Sequence, residues 1–216
     1  MTAHPSSPSA PPLTERQEAR RRRILDASAE LARRGGFGAV QMREVAESSN
    51  VALGTLYRYF PSKVHLLVAT MHDQLERLHE TLHRRPPEEP EPAARVAVTL
   101  MRAFRALQRD PNLAEAMVRA FTFADRSAGA EVDAVSRLTT AIILDAMGTE
   151  GAPTPERLSV ARVIAHTWHS TLIGWLSGRA SIEQVREDIE TACGLVTSAV
   201  TGGGAPALRP GGPHAP

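Results

Sequence analysis

The sequence predicts an all-α protein: an N-terminal helix-turn-helix head of three helices, then a larger C-terminal helical bundle, about nine helices in total. Three observations predict it. Apolar residues recur at alternating steps of three and four in the segments between breaks, as at Val64, Leu67, Met71, Leu75, Leu78 and Leu82. Helix-start signals repeat along the chain, at Thr14 with Gln17, Asp110-Pro111, Thr154-Pro155 and Ser181 with Gln184. No run alternates with period two long enough to count as a strand.

In chain order, Pro, Gly, Ala and Ser crowd residues 1–12 and 201–216, which predicts two disordered tails. The capping box at Thr14 opens a helix that buries Ile24, Ser28 and Leu31 and ends at Gly35-Gly36. A short helix follows, with an apolar face of Met42, Val45 and Ala46. Ser48-Ser49-Asn50-Val51 makes the turn, and Asn50 tolerates the left-handed conformation better than most non-glycine residues. Val51 and Leu56 anchor a second short helix, and a long helix runs from Val64 to His83. The four prolines of Arg84–Pro92 break it. A helix through Val96, Leu100, Phe104 and Leu107 stops before Pro111, and a second loop spans Gly148–Pro155. The last two helices carry stripes at Leu158, Ala161, Ala165, Trp168, Leu172 and Trp175, and at Ile182, Val185, Ile189, Ala192, Val196 and Val200. The boundaries that result are a head over 13–60 and a body over 61–200.

Composition narrows the class. The 216 residues are 42% hydrophobic and 23% charged, ordinary for a globular protein. A single cysteine, Cys193, excludes an internal disulfide framework and fits a reducing cytosol. No apolar run approaches the roughly 18 residues of a membrane span, and the N-terminus lacks the layout of a secretion signal. A cytoplasmic protein is expected, with no membrane contact. Residues 1–65 carry 10 Lys+Arg against 6 Asp+Glu, whereas residues 66–216 carry 15 against 18. A mildly basic head on a mildly acidic body fits a nucleic-acid-binding head.

The head carries the most specific chemistry. Ala52, Leu53, Gly54, Thr55 and Tyr57 fall on the outer surface of the second short helix, where small residues let the backbone approach base edges. Thr55 can bond a base or phosphate, and Leu53 can touch a thymine methyl. Tyr57, Tyr59 and Lys63 are donors suited to phosphate oxygens, and Lys63, the only lysine, stands at a helix N-terminus. Through Gly54, Thr55, Leu56, Tyr57, Phe60, Ser62 and Lys63, the segment VALGTLYRYFPSKVHLL resembles the TetR family of bacterial transcriptional repressors. The resemblance implies a three-helix DNA-binding head, a ligand-binding body and a homodimer on double-stranded operator DNA. Two positions depart from the family pattern. Gln41 replaces the usual Thr that caps the second helix and touches phosphate, leaving Arg43 to make that contact, and Asn50 replaces the usual Gly of the turn.

The body resembles, over Ala114–Asp133 and Ala161–Ser181, actinobacterial TetR-type repressors of cholesterol catabolism. That resemblance implies a small apolar effector, a coenzyme A thioester from sterol degradation. A regulator of another fatty-acid or drug-efflux system is the alternative. Met101, Phe104, Leu107, Met117, Phe121, Phe123, Trp168 and Trp175 are the candidate pocket residues, each of which core packing also explains. The last two helices either pack as plain core or meet their copy in a second subunit, and a helix-turn-helix protein's need for two heads favours the dimer.

One motif points elsewhere. His79-Glu80-Thr81-Leu82-His83 matches the H-E-x-x-H helix of zinc metalloproteases. Pro86 ends the scaffold, and Glu88, Glu89 and Glu91 lie in a proline-rich loop that would fix a third ligand poorly. His65, His72 and His79 lie seven apart, which reads as a solvated histidine stripe. Asp125, Arg126 and Asp133 read as surface or pocket polar contacts. A zinc metalloenzyme or a metal-sensing role through His79, Glu80 and His83 is the minor alternative; the leading reading is a protein with no enzymatic activity, cofactor or metal.

Overall fold

Helix α1 (Glu15–Ala39) starts on a complete capping box: Thr14 Oγ1 accepts from the Gln17 amide, and Gln17 Oε1 accepts from the Thr14 amide at 2.7 Å. The computed structural model describes residues 14–148 and 152–201, with side chains as far as Leu195. The expected N-terminal tail, most of the C-terminal one, part of the Gly148–Pro155 loop and the side chains of Val196 and Val200 lie outside the described residues. Within α1 the helical dihedrals break at Gly35-Gly36, as those glycines predict, and Gly36 takes φ 65°. A Cβ on Gly36 would stand 2.7 Å from Glu115 Oε2, the atom that accepts from the Phe37 amide at 2.9 Å. The kink is thus a docking point for another helix.

The described residues are all-α. The helices after α1 are α2 (Met42–Ser48), α3 (Leu53–Tyr59), α4 (Lys63–Arg84), α5 (Pro92–Arg109), α6 (Pro111–Thr122), α7 (Gly129–Met147), α8 (Pro155–Leu176) and α9 (Ile182–Thr201), with a 3-10 turn at Arg126–Ala128. None is long and apolar enough to cross a membrane.

Two cores hold the chain. The first joins Ile24, Leu25, Val45, Leu56 and Phe60 to Leu66–Ala69 of α4 and to Leu113, Ala116 and Met117 of α6. The second joins α5, α7, α8 and α9 through Phe104, Ile143, Ile164, Trp168, Leu172, Val185 and Ile189. Because α4 and α6 help close the first core, the three helices of the head pack against the body instead of hanging from a linker.

Two expected caps act differently. Asp110 makes no side-chain cap to α6; its carboxylate accepts from Arg33 Nε at 3.3 Å, which ties the end of α1 to the start of α6. Ser181 Oγ accepts from the Gln184 amide at 3.1 Å, but the Gln184 side chain donates forward to Asp188 at 2.9 Å. The proline loop is fastened by Arg95, whose guanidinium donates to the carbonyls of Glu89, Pro90, Ala146 and Met147. A cation there also answers the negative end of the α7 dipole.

The solvated histidine stripe needs correction at His65, and the tryptophans take the core-packing side of the two readings open to them. His65 is buried, not solvated: Ser127 O lies 3.0 Å from its Nε2, so that nitrogen carries the hydrogen, and Nδ1 lies 2.9 Å from Ser62 Oγ. Trp168 and Trp175 both turn inward, with ring centroids 6.3 and 4.9 Å from that of Phe104. Among the described residues, the large apolar groups that α8 and α9 leave outside are Leu158, Val163, Ile182 and Leu195.

Candidate nucleic-acid interface and effector cavity

The helix-turn-helix is built around a left-handed residue. Asn50 has φ 53°, the value its short polar side chain tolerates, and the turn closes where the Val51 amide donates to Ala46 O at 2.9 Å. Val45 and Leu56 are fully buried across it and set the angle between α2 and α3. Gln41 makes no side-chain cap; its amide donates back to Gly38 O at 2.9 Å. No threonine hydroxyl stands at this cap, while Arg43 is exposed one residue into the helix.

Helix α3 presents an open face. Ala52, Gly54, Tyr57 and Arg58 are exposed, and Leu53, Thr55 and Tyr59 are half-buried. A Cβ on Gly54 would meet nothing within 4 Å, so the chain's own packing does not call for glycine there. Tyr57 is 45% exposed. The Tyr59 hydroxyl donates instead to Gln17 O at 3.4 Å, tying α3 to α1. Arg58, which the sequence reading passed over, reaches Thr55 Oγ1 at 3.5 Å from this same exposed face.

Lys63 is turned inward. Its Nζ donates to Phe37 O at 3.1 Å and lies 4.2 Å from the Phe37 ring centroid, with the Arg119 guanidinium 4.8 Å from the same ring. Burial, and secondarily the Arg119 charge, hold the Lys63 ammonium below its ordinary pKa. The lysine therefore joins the α1 kink, the start of α4 and α6 at one aromatic ring.

The body holds an open-sided cavity of about 950 Å³ between α4, α6, α7 and α8. Met71, Leu75, Phe121, Val135, Leu144, Trp168 and Leu172 form its apolar wall, and Arg137, Arg162 and His166 stand at exposed lining positions. His169 faces the cavity beside the Phe121 ring and within 3.3 Å of Thr122 Oγ1. Burial, then the neighbouring His166, push its imidazole below the ordinary pKa. Of the eight apolar residues singled out from sequence, Phe121 and Trp168 line this cavity. Phe104, Met117, Met101, Leu107 and Trp175 pack in or against the two cores, and Phe123 is 77% exposed. The polar lining of α7 and α8 was missed, because Ser136, Arg137 and Arg162 break no helical period and read as surface.

Sequence comparison decides the family. The pattern for bacterial regulatory proteins of the tetR family matches residues 24–70, and that for the tetracyclin repressor-like C-terminal domain matches residues 90–196. The chain belongs to the TetR family. The HTH-type transcriptional repressor KstR of Rhodococcus jostii is 49% identical over 180 residues, covering 83% of this chain and 84% of that protein. KstR of Mycobacterium tuberculosis is 44% identical over 183 residues, covering 85% of this chain and 83% of the relative. A TetR transcriptional regulator from Rhodococcus sp. RHA1 superposes with a TM-score of 0.79 at 40% identity, over 84% of this chain and 97% of that one.

TetR-family membership and this fold are those of a DNA-binding transcription factor, not of an enzyme. In the protease-like motif, Glu80, which would serve as the general base, is exposed and pairs with Arg84 at 3.2 Å.

Proposed function

We propose that the chain is a homodimeric repressor that binds a palindromic operator in double-stranded DNA and is released by a small apolar effector. The effector is a coenzyme A thioester of sterol degradation, and the regulated genes serve cholesterol and lipid catabolism in the cytoplasm. One observation carries the reading: α4 begins at the head and borders the cavity farther along, so one rigid helix touches both sites. Ser62 caps α4 beside α3, and Met71 and Leu75 of the same helix line the cavity. An effector that prefers one tilt of α4 therefore biases the spacing of two heads.

The cavity supports this ligand chemistry. An apolar wall accepts a ring system, and Arg137 and Arg162 suit the phosphates of a coenzyme A moiety. The segments that resemble repressors of cholesterol catabolism contribute Phe121 and Ala165–Leu172 residues to the lining. The 44% and 49% identical relatives are named as repressors, which favours repression over activation.

For DNA, the proposed contacts are Arg43, Ala52, Leu53, Gly54, Thr55, Tyr57, Tyr59 and Lys63, within a head of 13–60 carried by a body of 61–200. The exposed Gly54 and Tyr57 offer base approach and a phosphate donor; Lys63 acts mainly by holding α4 to Phe37. The proposed dimer uses the outer faces of α8 and α9, where Val163 is 50% and Leu195 69% exposed.

Mobility shift with DNA flanking the gene, at fixed salt, tests the function. A steroid coenzyme A thioester is expected to weaken binding by roughly 5–150-fold, the usual span of allosteric coupling. A fatty acyl coenzyme A acting more strongly would move the assignment to fatty-acid control. Operator affinity unchanged by any thioester would defeat the effector reading.

A further inference from the structure

The H-E-x-x-H motif, set aside above as an enzyme signature, acquires in the fold the third ligand that the sequence lacked. Asp145, on the last turn of α7, lies with Oδ2 2.6 Å from His79 Nε2 and 3.4 Å from His83 Nε2. The three candidate ligand atoms all fall within 4.8 Å of one another. Tetrahedral zinc with bonds near 2.0–2.2 Å needs ligand atoms about 3.3 Å apart, so a small rotation of His79 away from Asp145 would open the space. His79 and His83 stand one helical turn apart, their ring centroids separated by 4.3 Å.

We propose that His79, His83 and Asp145 form a binding site for a borderline divalent cation, zinc above all. Two imidazole nitrogens and one carboxylate oxygen are the donor set such a metal takes, and His83 and Asp145 remain open enough for water to complete the shell. Magnesium or calcium, which favour oxygen ligands, fit it poorly. The metal would be structural or regulatory, in keeping with the fold of a transcription factor. It would clamp the far end of α4 to the end of α7, the residue before Asp145 being the cavity-lining Leu144. This site is independent of which effector fills the cavity and of whether the head binds DNA.

The test is zinc competition between the full chain and a chromogenic chelator at neutral pH, with Co²⁺ absorption as a second readout. One equivalent per chain is expected. Affinity should fall at least about tenfold in His83→Ala and in Asp145→Asn, because loss of a direct ligand costs no less than loss of an outer-shell partner. His83 has a side chain 61% exposed, so its replacement leaves the core intact; Asp145→Asn checks the result with a nearly isosteric change. His72→Ala, outside the cluster, should bind as the unaltered protein does. Zinc should also raise the unfolding temperature of the unaltered protein and not that of His83→Ala. No uptake at millimolar zinc, or uptake that survives both His83→Ala and Asp145→Asn, would overturn the proposal.

Discussion

Asn50 shows how one residue sets the geometry of the reading head. Its φ of 53° is a conformation in which a β-carbon clashes with the following carbonyl, and a short amide side chain lessens that cost. Asn50→Ala should destabilise by about 1 kcal/mol in urea unfolding, and Asn50→Gly by less than about 0.5 kcal/mol. His169 makes a second residue-scale case. Because burial and His166 lower its native pKa below the ordinary 6.5, the unfolded chain takes up the proton more readily. Its stabilising contribution is complete above that ordinary value and drains away as pH falls through the lowered native one. Urea midpoints followed from about pH 7.5 to about pH 5 should therefore drop less steeply in His169→Gln than in the parent.

Helix α4 joins the two functional regions. Its first turn is held on two sides, with His65 buried between Ser62 and the Ser127 carbonyl and Lys63 pinned to Phe37. Its middle borders the cavity, so movement there reaches the head through contacts that leave little slack. Tyr57→Phe and Lys63→Ala should separate two kinds of loss. Tyr57 is exposed, so removing its hydroxyl should weaken operator binding by about 1 kcal/mol while leaving the urea midpoint unchanged. Lys63→Ala should lower the urea midpoint, since it strips a hydrogen bond and a cation–ring contact from a three-helix junction. Equal stability of Lys63→Ala and the parent would show that the junction does not depend on the ammonium.

At the scale of the whole molecule, the chain packs both tryptophans against Phe104 in its own core and leaves small apolar patches on α8 and α9. Trp168→Ala should cost about 3–5 kcal/mol, because it empties space between Phe104 and the cavity wall. Leu195→Asp should leave the fold intact and shift light-scattering mass from two chains to one, since its side chain is 69% exposed within the monomer. A dimer that survived both Leu195→Asp and Val163→Asp would place the interface elsewhere. Cys193, buried on α9 with its thiol pushed up to about 11, should resist alkylation at neutral pH until the bundle opens.

The sequence alone determined whatever local chemistry dictates. The Thr14 capping box, the kink at Gly35-Gly36, the left-handed Asn50 and the proline breaks each act within a few residues of themselves. The three-and-four spacing likewise marked the helices, and a short ungapped segment around Gly54–Lys63 marked the family. Tertiary structure decided what depends on residues far apart in the chain. Periodicity tells which face of a helix is covered but not what covers it, so the tryptophans, His65 and Lys63 could be assigned only once Phe104, Ser127 and Phe37 were beside them. The cavity is space left between four helices, and no residue encodes space by itself. Asp145 stands 66 residues from His79 in sequence, and only the packing of α7 on α4 brings the two within 2.6 Å.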